Sequence, residues 1–529
     1  MVALKAGNIL VETTYASTAN KSVTVELVDG TGATACASRV AIVPAVSQTL
    51  TFIAADAGRK ASALMTVTKA YANLRCRVTD TNQVPTVQGC STDNFAVRPV
   101  SLALTATGLN ADASGVSASA TPTAKAGVNF TLTATASDAG YTGIPTIDVA
   151  TLAAHTGAVR NGTLTGTLPA AIAGVASASF TYDDAGYFML TANGLLDTTF
   201  TAVDSASGDC TADFSTTLVG GFYGCKVGSA ATTYFGRFIP DHFAVTTASN
   251  GSMKAAVNNS FTYTGQPMTY ATTPSLTITA MNGLVTPTIT QNYIGAFQKL
   301  IASGVVITTP TADGTQNGKD GLTKTILSAT LNAGALANNG SGTLTYTLAS
   351  ADSYTYTRNA NAMIAPYTSG IQLPVTLVSE PASDGVAATG TLPTLIPTGV
   401  LLRYGRIKLA NAVGSNQSPL TMTAYFQYFD GVAWQKNSGD TSTLLTLPGA
   451  LSLTGAAISN VLAGTTSFAG GFNFTLQKPT ASGVVTVNVN PANVPAWLND
   501  ATGTGTATFG VFTGKENGTK NFIYMRESY

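Results

Sequence analysis

Side chains along this chain change character at every second residue, again and again, and seldom at the interval of a helix. In Thr421–Phe429, Met422, Ala424, Phe426 and Tyr428 fall on one side of an extended backbone, and Thr423, Tyr425, Gln427 and Phe429 fall on the other. Val23, Val25 and Leu27 repeat the pattern, as do Phe130, Leu132 and Ala134 between threonines, and the run Leu344-Thr345-Tyr346-Thr347-Leu348. Asp-Gly and Gly-rich punctuation separates these runs, which is how short strands joined by tight turns are written. The expectation is an all-β chain of tandem immunoglobulin-like sandwiches, with a turn signal every 8–12 residues. A chain of 529 residues exceeds what one core can serve. Composition and a weak Phe-Ala-Val echo (Phe95–Val97, Phe243–Val245) place boundaries that divide it into 1–99, 100–240, 241–400 and 401–529. One exception to the strand pattern is expected in the third of these. Tyr293, Phe297, Leu300 and Ile301 share a helical face within 291–302, which predicts a single short helix there.

The densest aromatic and basic stretch runs from Leu401 to Trp434. Asp430-Gly431 predicts a type I′ turn, so that the strand ending at Phe429 folds back through Trp434 as a hairpin with aromatics on both faces. Tyr425, Phe426, Tyr428, Phe429 and Trp434 are therefore the candidate interface or ligand-binding aromatics. Core packing or subunit contact is the plainer use of such a band, and stacking against sugar rings is the alternative.

Charged residues make up only 10 % of the chain, against about 25 % in an average soluble protein, and the formal net charge is zero. That leaves no electrostatic footprint for nucleic acid or an anionic membrane surface. The surface must be built from Thr, Ser, Asn and Gly, which suits a secreted or cell-surface scaffold. No apolar run reaches the ~18 residues of a membrane span. Met1–Lys5 does not read as a secretory signal, and a type IV pilin's N-terminal apolar helix is missing, so the expectation is either a segment of a longer protein or the mature portion of a longer exported precursor, and not such a pilin.

Five cysteines are present. Cys76 and Cys90 flank a short polar loop, as do Cys210 and Cys225, and each pair reads as a disulfide. Cys36 makes the count odd and can replace either member of the first pair. Zinc is the rival reading, but no Cys-x-x-Cys motif occurs and the two histidines, His155 and His242, stand apart. Neither histidine has a Ser/Asp arrangement around it, and no nucleophile elbow or phosphate-cradling loop occurs, so no catalytic residues, metal or cofactor are assigned. Asp313–Asp320 superficially suggests a calcium loop, yet the position of the bidentate acidic ligand is Lys324, and a polar turn is expected. Asp183-Asp184 followed by Gly186 is likewise read as a turn, with a bound cation as the alternative.

Seven stretches in order resemble the MshQ-like family of Gram-negative surface proteins, associated with biogenesis of the mannose-sensitive haemagglutinin (MSHA) type IV pilus. They are Cys90–Pro99, Phe235–Val245, Asn292–Leu300, Ala365–Val378, Leu402–Ser415, Tyr425–Asp440 and Thr506–Glu527. The resemblance implies an exported, non-enzymatic β protein at the cell envelope, with pilus or other surface proteins as partners. Self-association into a fibre or sheath, and glycan binding, stand as alternatives. Two departures matter. Relatives often carry an N-terminal signal and sometimes a lectin-like jelly-roll domain upstream, and where they usually continue into Asp-Ser-Cys this chain has Asp440-Thr441-Ser442-Thr443.

Overall fold

The computed structural model describes residues 12–112, 114–313, 321, 325–360, 363–381, 384–455 and 461–510. Apart from one six-residue helix and short 3-10 turns, every regular element among them is a strand. The chain is all-β, as its alternation requires.

Residues 21–97 form one sheet. Ser47–Phe52 lies at its edge, beside Lys21–Asp29, then Tyr71–Asp80 and Val87–Cys90, with Phe95–Val97 on the far end of Tyr71–Asp80. Its core is small, built on Val23, Val25, Leu50 and Phe52 at one end and Leu27, Ile42 and Leu74 at the other. From 102 to 239 the strands make a two-layer sandwich. Val175–Tyr182, Phe130–Ala136 and Leu102–Thr107 face Gly186–Leu190 and Tyr234–Ile239, and Leu132, Phe180, Tyr182, Phe188 and Phe238 fill the space between. A further core forms between His242–Ser249, Ser275–Met281 and Thr343–Thr347 on one side and Gly370–Val378 on the other, packed with Phe243, Leu276, Ile278, Leu344 and Leu373. The last sandwich sets Gly405–Leu409, Leu420–Phe429 and Gly471–Leu476 against Gly483–Val489 and Gly505–Gly510, over Ile407, Met422, Phe426, Phe474 and Val485. Each such side chain contributes about 1.5–3 kcal/mol by leaving water.

The third and fourth units are interlaced. Phe261–Tyr263 leaves the third stretch, pairs in parallel with Leu401–Arg403, and buries Phe261 and Tyr263 in the core of the last sandwich. The Tyr263 hydroxyl donates to Asp440 Oδ2 (2.8 Å) and accepts from Asn437 Nδ2 (2.7 Å). Asp440 also takes the Thr443 hydroxyl (2.7 Å) and amide (3.0 Å). Asp440 thus anchors a buried polar knot.

The helix expected over 291–302 does not form. That span holds two 3-10 turns, Gly295–Phe297 and Ala302–Gly304, and the six-residue helix is Ala202–Ser207, in the second unit instead of the third. The reason is competition for donors. The amides of Lys299 and Leu300 donate to the Tyr293 hydroxyl (3.1 and 2.8 Å), so they are unavailable to the carbonyls four residues back. Tyr293, Phe297 and Leu300 are still buried, but Ile301 is exposed.

Tyr293 in turn donates to Glu380, whose other oxygen accepts from the Val386 amide (3.3 Å). Burial, with Asp384 adding to it, pushes the Glu380 carboxyl from its ordinary 4.5 up to about 7. The folded chain therefore holds a proton here that the unfolded chain has already lost, and stability from this site falls as pH rises from 4.5 to 7. The stability difference between Glu380→Gln and the wild type is expected to grow in the variant's favour across that window, by on the order of 3 kcal/mol. Urea unfolding at pH 4.5, 6 and 8 reads this directly, and a difference that stays constant with pH would count against it.

Candidate functional site

Two disulfides are closed. Cys210 and Cys225 are bridged, with Cα atoms 5.2 Å apart, and Cys36 is bridged to Cys90 at 5.5 Å. Cys36 thus takes the place given to Cys76 in the first pair, and Cys76 is a free thiol. Strand register explains the choice. Cys90 sits opposite Arg77, one residue past Cys76, so Cys90 projects with Arg77 while Cys76 projects from the other face of the sheet. Cys76 instead borders a groove of about 550 Å³ with Val23, Val25, Phe52, Met65 and Val78. Burial raises its thiol pKa, the opposite of what a nucleophile needs. The loops closed by the two bridges correspond to roughly 4 and 3 kcal/mol in the chain-entropy account.

The aromatic hairpin is present with a different turn. Phe429 registers with Trp434, leaving a four-residue loop, Asp430–Ala433, in place of a two-residue type I′ turn. Asp430 Oδ1 accepts from the amides of Val432 (2.8 Å) and Ala433 (2.7 Å), and Gly431 takes a positive φ of 110°. The five aromatics separate by location. Phe426 is in the core, and Phe429 is buried with Tyr404 and Ile364. Tyr428 lies under the Arg403 guanidinium (4.5 Å), which also covers Phe261 (4.6 Å). Tyr425 and Trp434 are half-buried, with Lys436 Nζ at 5.4 Å from the first and the Arg406 guanidinium at 3.8 Å from the second. A broad bare stacking platform is therefore not what these five residues make.

Asp183-Asp184 gathers a cation from within the chain. Arg160 meets Asp183 Oδ1 at 2.5 Å and Asp184 Oδ2 at 2.5 Å, so the cation these carboxylates meet is the chain's own guanidinium. Asp184 is fully buried, and its Oδ1 takes the amides of Ala185 (2.8 Å) and Asn292 (2.9 Å). Asn292 completes the joint by accepting from the Val159 amide (2.8 Å) and donating to the Arg160 carbonyl (2.9 Å). Nearby, the buried His155 ring lies 4.3 Å from Phe297, and its Nδ1 accepts from the Tyr187 amide (3.3 Å). Burial holds that imidazole below its ordinary pKa, so it is neutral. His242 Nδ1 contacts Asp241 Oδ2 (2.9 Å), with Lys125 on the same carboxylate (3.1 Å).

A second pin lies alongside. Arg237, only 1 % exposed, meets Asp384 with both terminal nitrogens (2.7 and 2.6 Å) and donates from Nε to the Ala120 carbonyl (2.7 Å). The second and third units are thus fastened by two buried charge clusters. Sequence reading missed Arg160, Asn292, Arg237 and Asp384, because partners about 20 to 150 residues apart leave no local signal. The suggested calcium loop, Asp313–Asp320, lies outside the described residues. Among the described residues no group of three or more His, Cys, Asp or Glu could hold a metal ion, and no helix is long and apolar enough to cross a membrane.

Strands, bridges and buried joints together define a stapled, multi-unit β protein. Residues 211–393 match DUF6701, third domain, and residues 403–528 match DUF6701, fourth domain. The chain carries the third and fourth domains of the DUF6701 family. A comparison with curated proteins gives no match. Among solved structures, one described as "FdeC, a Novel Broadly Conserved Escherichia coli Adhesin Eliciting Protection against Urinary Tract Infections" aligns over 77 % of this chain and 96 % of its own, at 14 % identity. The TM-score is 0.24, and a superposition that loose carries no argument about shape or activity.

Asp384→Ala leaves the Arg237 guanidinium buried without its partner and is expected to cost about 3–5 kcal/mol in chemical denaturation, whereas the paired change Arg237→Met with Asp384→Leu costs much less. Equal losses in the two would remove the pin from the account. Alkylation under denaturing, non-reducing conditions is expected to label Cys76 and no other cysteine by peptide mass spectrometry. Label on Cys36 or Cys90 would overturn the pairing.

Proposed function

We propose that this chain is an exported, non-enzymatic structural or adhesive protein of the cell surface, working with a type IV pilus system of the MSHA kind. The observation that carries the reading is the combination of two closed disulfides with a sparsely charged, threonine-rich β array of zero net charge. Disulfides persist in oxidising compartments, and a neutral hydroxyl-rich surface stays hydrated without attracting polyanions. The buried joints add stiffness between units, which a protein that spans distance outside a cell requires. The ordered MshQ-like motifs supply the pilus part of the reading, and the division into units at 1–99, 100–240, 241–400 and 401–529 belongs to the same proposal.

Self-assembly is the second reading, and one observation favours it. Ser47–Phe52 is an edge strand with exposed Ser47, Thr49 and Thr51 and neither lysine nor proline to blunt it. Deleting the gene is expected to lower piliation or surface attachment. If both are unchanged, the pilus reading fails. Light scattering of the purified chain distinguishes the second reading, since a monomer at high concentration rules out spontaneous fibres.

A further inference from the structure

The last sandwich turns an unusual face to solvent. On Gly405–Leu409, Gly405, Ile407 and Leu409 are buried, so Arg406 and Lys408 stand side by side on the outer surface. Arg406 registers with Gln427 and Lys408 with Tyr425 on the next strand, and Gln427 registers with Lys436 on the strand beyond. Strands lie about 4.8 Å apart, so Arg406, Gln427 and Lys436 form a row roughly 10 Å long, with Lys408 and Tyr425 in the row below.

These cations are held in place by neutral groups. Arg406 donates to Gln427 Oε1 (2.9 Å) and to the Thr502 hydroxyl (3.1 Å), and Lys408 donates to the Thr504 carbonyl (3.0 Å). Lys436 lies 4.8 Å from the Phe468 ring. No described carboxylate forms an ion pair with any of the three. The carboxylate felt by Arg406 and Lys408 is Asp500, whose Oδ1 is already engaged by the Thr502 amide and hydroxyl (2.8 Å each). Partial burial disfavours the charge on both residues, and for Lys408 the neighbouring Arg406 disfavours it further. One end of the face is walled by the cluster of Ile364, Tyr404, Phe429 and Trp434. In a chain with as many acids as bases, three preorganised cations that no described carboxylate contacts directly, with Asp500 as the acid that two of them feel, mark a place suited to negative charge from outside.

We propose that this face binds an anionic polysaccharide, its carboxylates or sulfates seated among Arg406, Lys408 and Lys436 and a sugar ring resting against Tyr425. Tyr425 supplies a partly open aromatic surface for the apolar side of a sugar, and Gln427 and the neighbouring threonines supply partners for hydroxyls. Nucleic acid fits less well, because its affinity grows with many neutralised phosphates and the chain as a whole carries no net charge. The inference deepens the adhesion reading and rests on it for its biological setting. Binding is measured on purified chain, so a negative result here and a negative result in the gene deletion are separate findings.

The test passes the full chain over immobilised polygalacturonate, heparin, neutral dextran and single-stranded DNA, at low salt and at 0.5 M salt. Retention on polygalacturonate or heparin, lost at high salt and absent on dextran, is expected, and the column that retains identifies the acid group. Lys408→Gln combined with Lys436→Gln is expected to weaken binding at least about tenfold, and the exposed Lys436→Gln alone gives a smaller loss without risk to folding. Retention on neither acidic polysaccharide, retention indifferent to both variants, or stronger retention on DNA overturns the proposal.

Discussion

Asp184 sits where two sandwiches meet and has no contact with water. A carboxylate in that position is tolerable only if its oxygens are fully engaged, and here they are engaged from both sides of the junction: Arg160 and the Ala185 amide from one unit, the Asn292 amide from the next. The arrangement ties the shape of the chain to an electrostatic requirement. Separating the two units uncovers the Phe297 ring that packs on His155 and Tyr187 and also strands a buried charge, so the relative placement of the units is specified more sharply than apolar contact alone would specify it. Arg237 and Asp384 repeat the device a short way off. Neutral strands elsewhere leave few other charges to compete for these partners.

Strand content was legible because the information is local. A two-residue period announces which face of a strand is buried, and Met422, Ala424 and Phe426 sit in the core as their spacing indicates. Features that depend on partners far along the chain were not legible. The periodicity over 291–302 is that of a helix, but the Tyr293 hydroxyl takes two of the amides a helix would use, and the segment turns instead of coiling. Cys76 and Cys90 are close in sequence and on neighbouring strands, yet a register of one residue puts them on opposite faces, and Cys36 arrives from 54 residues away. Asp430-Gly431 marks a turn correctly in place but not in kind, because the Asp430 side chain binds two amides and lengthens the loop.

The aromatic stretch shows how cations change what rings can do. Read as a list, five aromatics suggest a stacking surface. In three dimensions two are core, one lies beneath Arg403, and the remaining two are edged by Lys436 and Arg406. The rings serve as supports that hold positive charge at fixed positions on a sheet, a role that isolated residue types do not reveal. The groove at Cys76 holds a thiol whose pKa burial raises, and the Asp80 carboxylate that lines it is held by the Tyr15 hydroxyl (2.6 Å).

The crossing of Phe261–Tyr263 into the last sandwich has a mechanical meaning. These residues run parallel to Leu401–Arg403, and most strands of the third core, among them Ser275–Met281, Thr343–Thr347 and Gly370–Val378, lie in the chain between the two segments. A pull on the two ends of the chain drags one segment by its beginning and the other by its end, so the pair is loaded in shear and its hydrogen bonds must part together instead of unzipping one by one. Tension along the chain is resisted at this clasp, where the Tyr263 hydroxyl is also tied to Asp440 and Asn437.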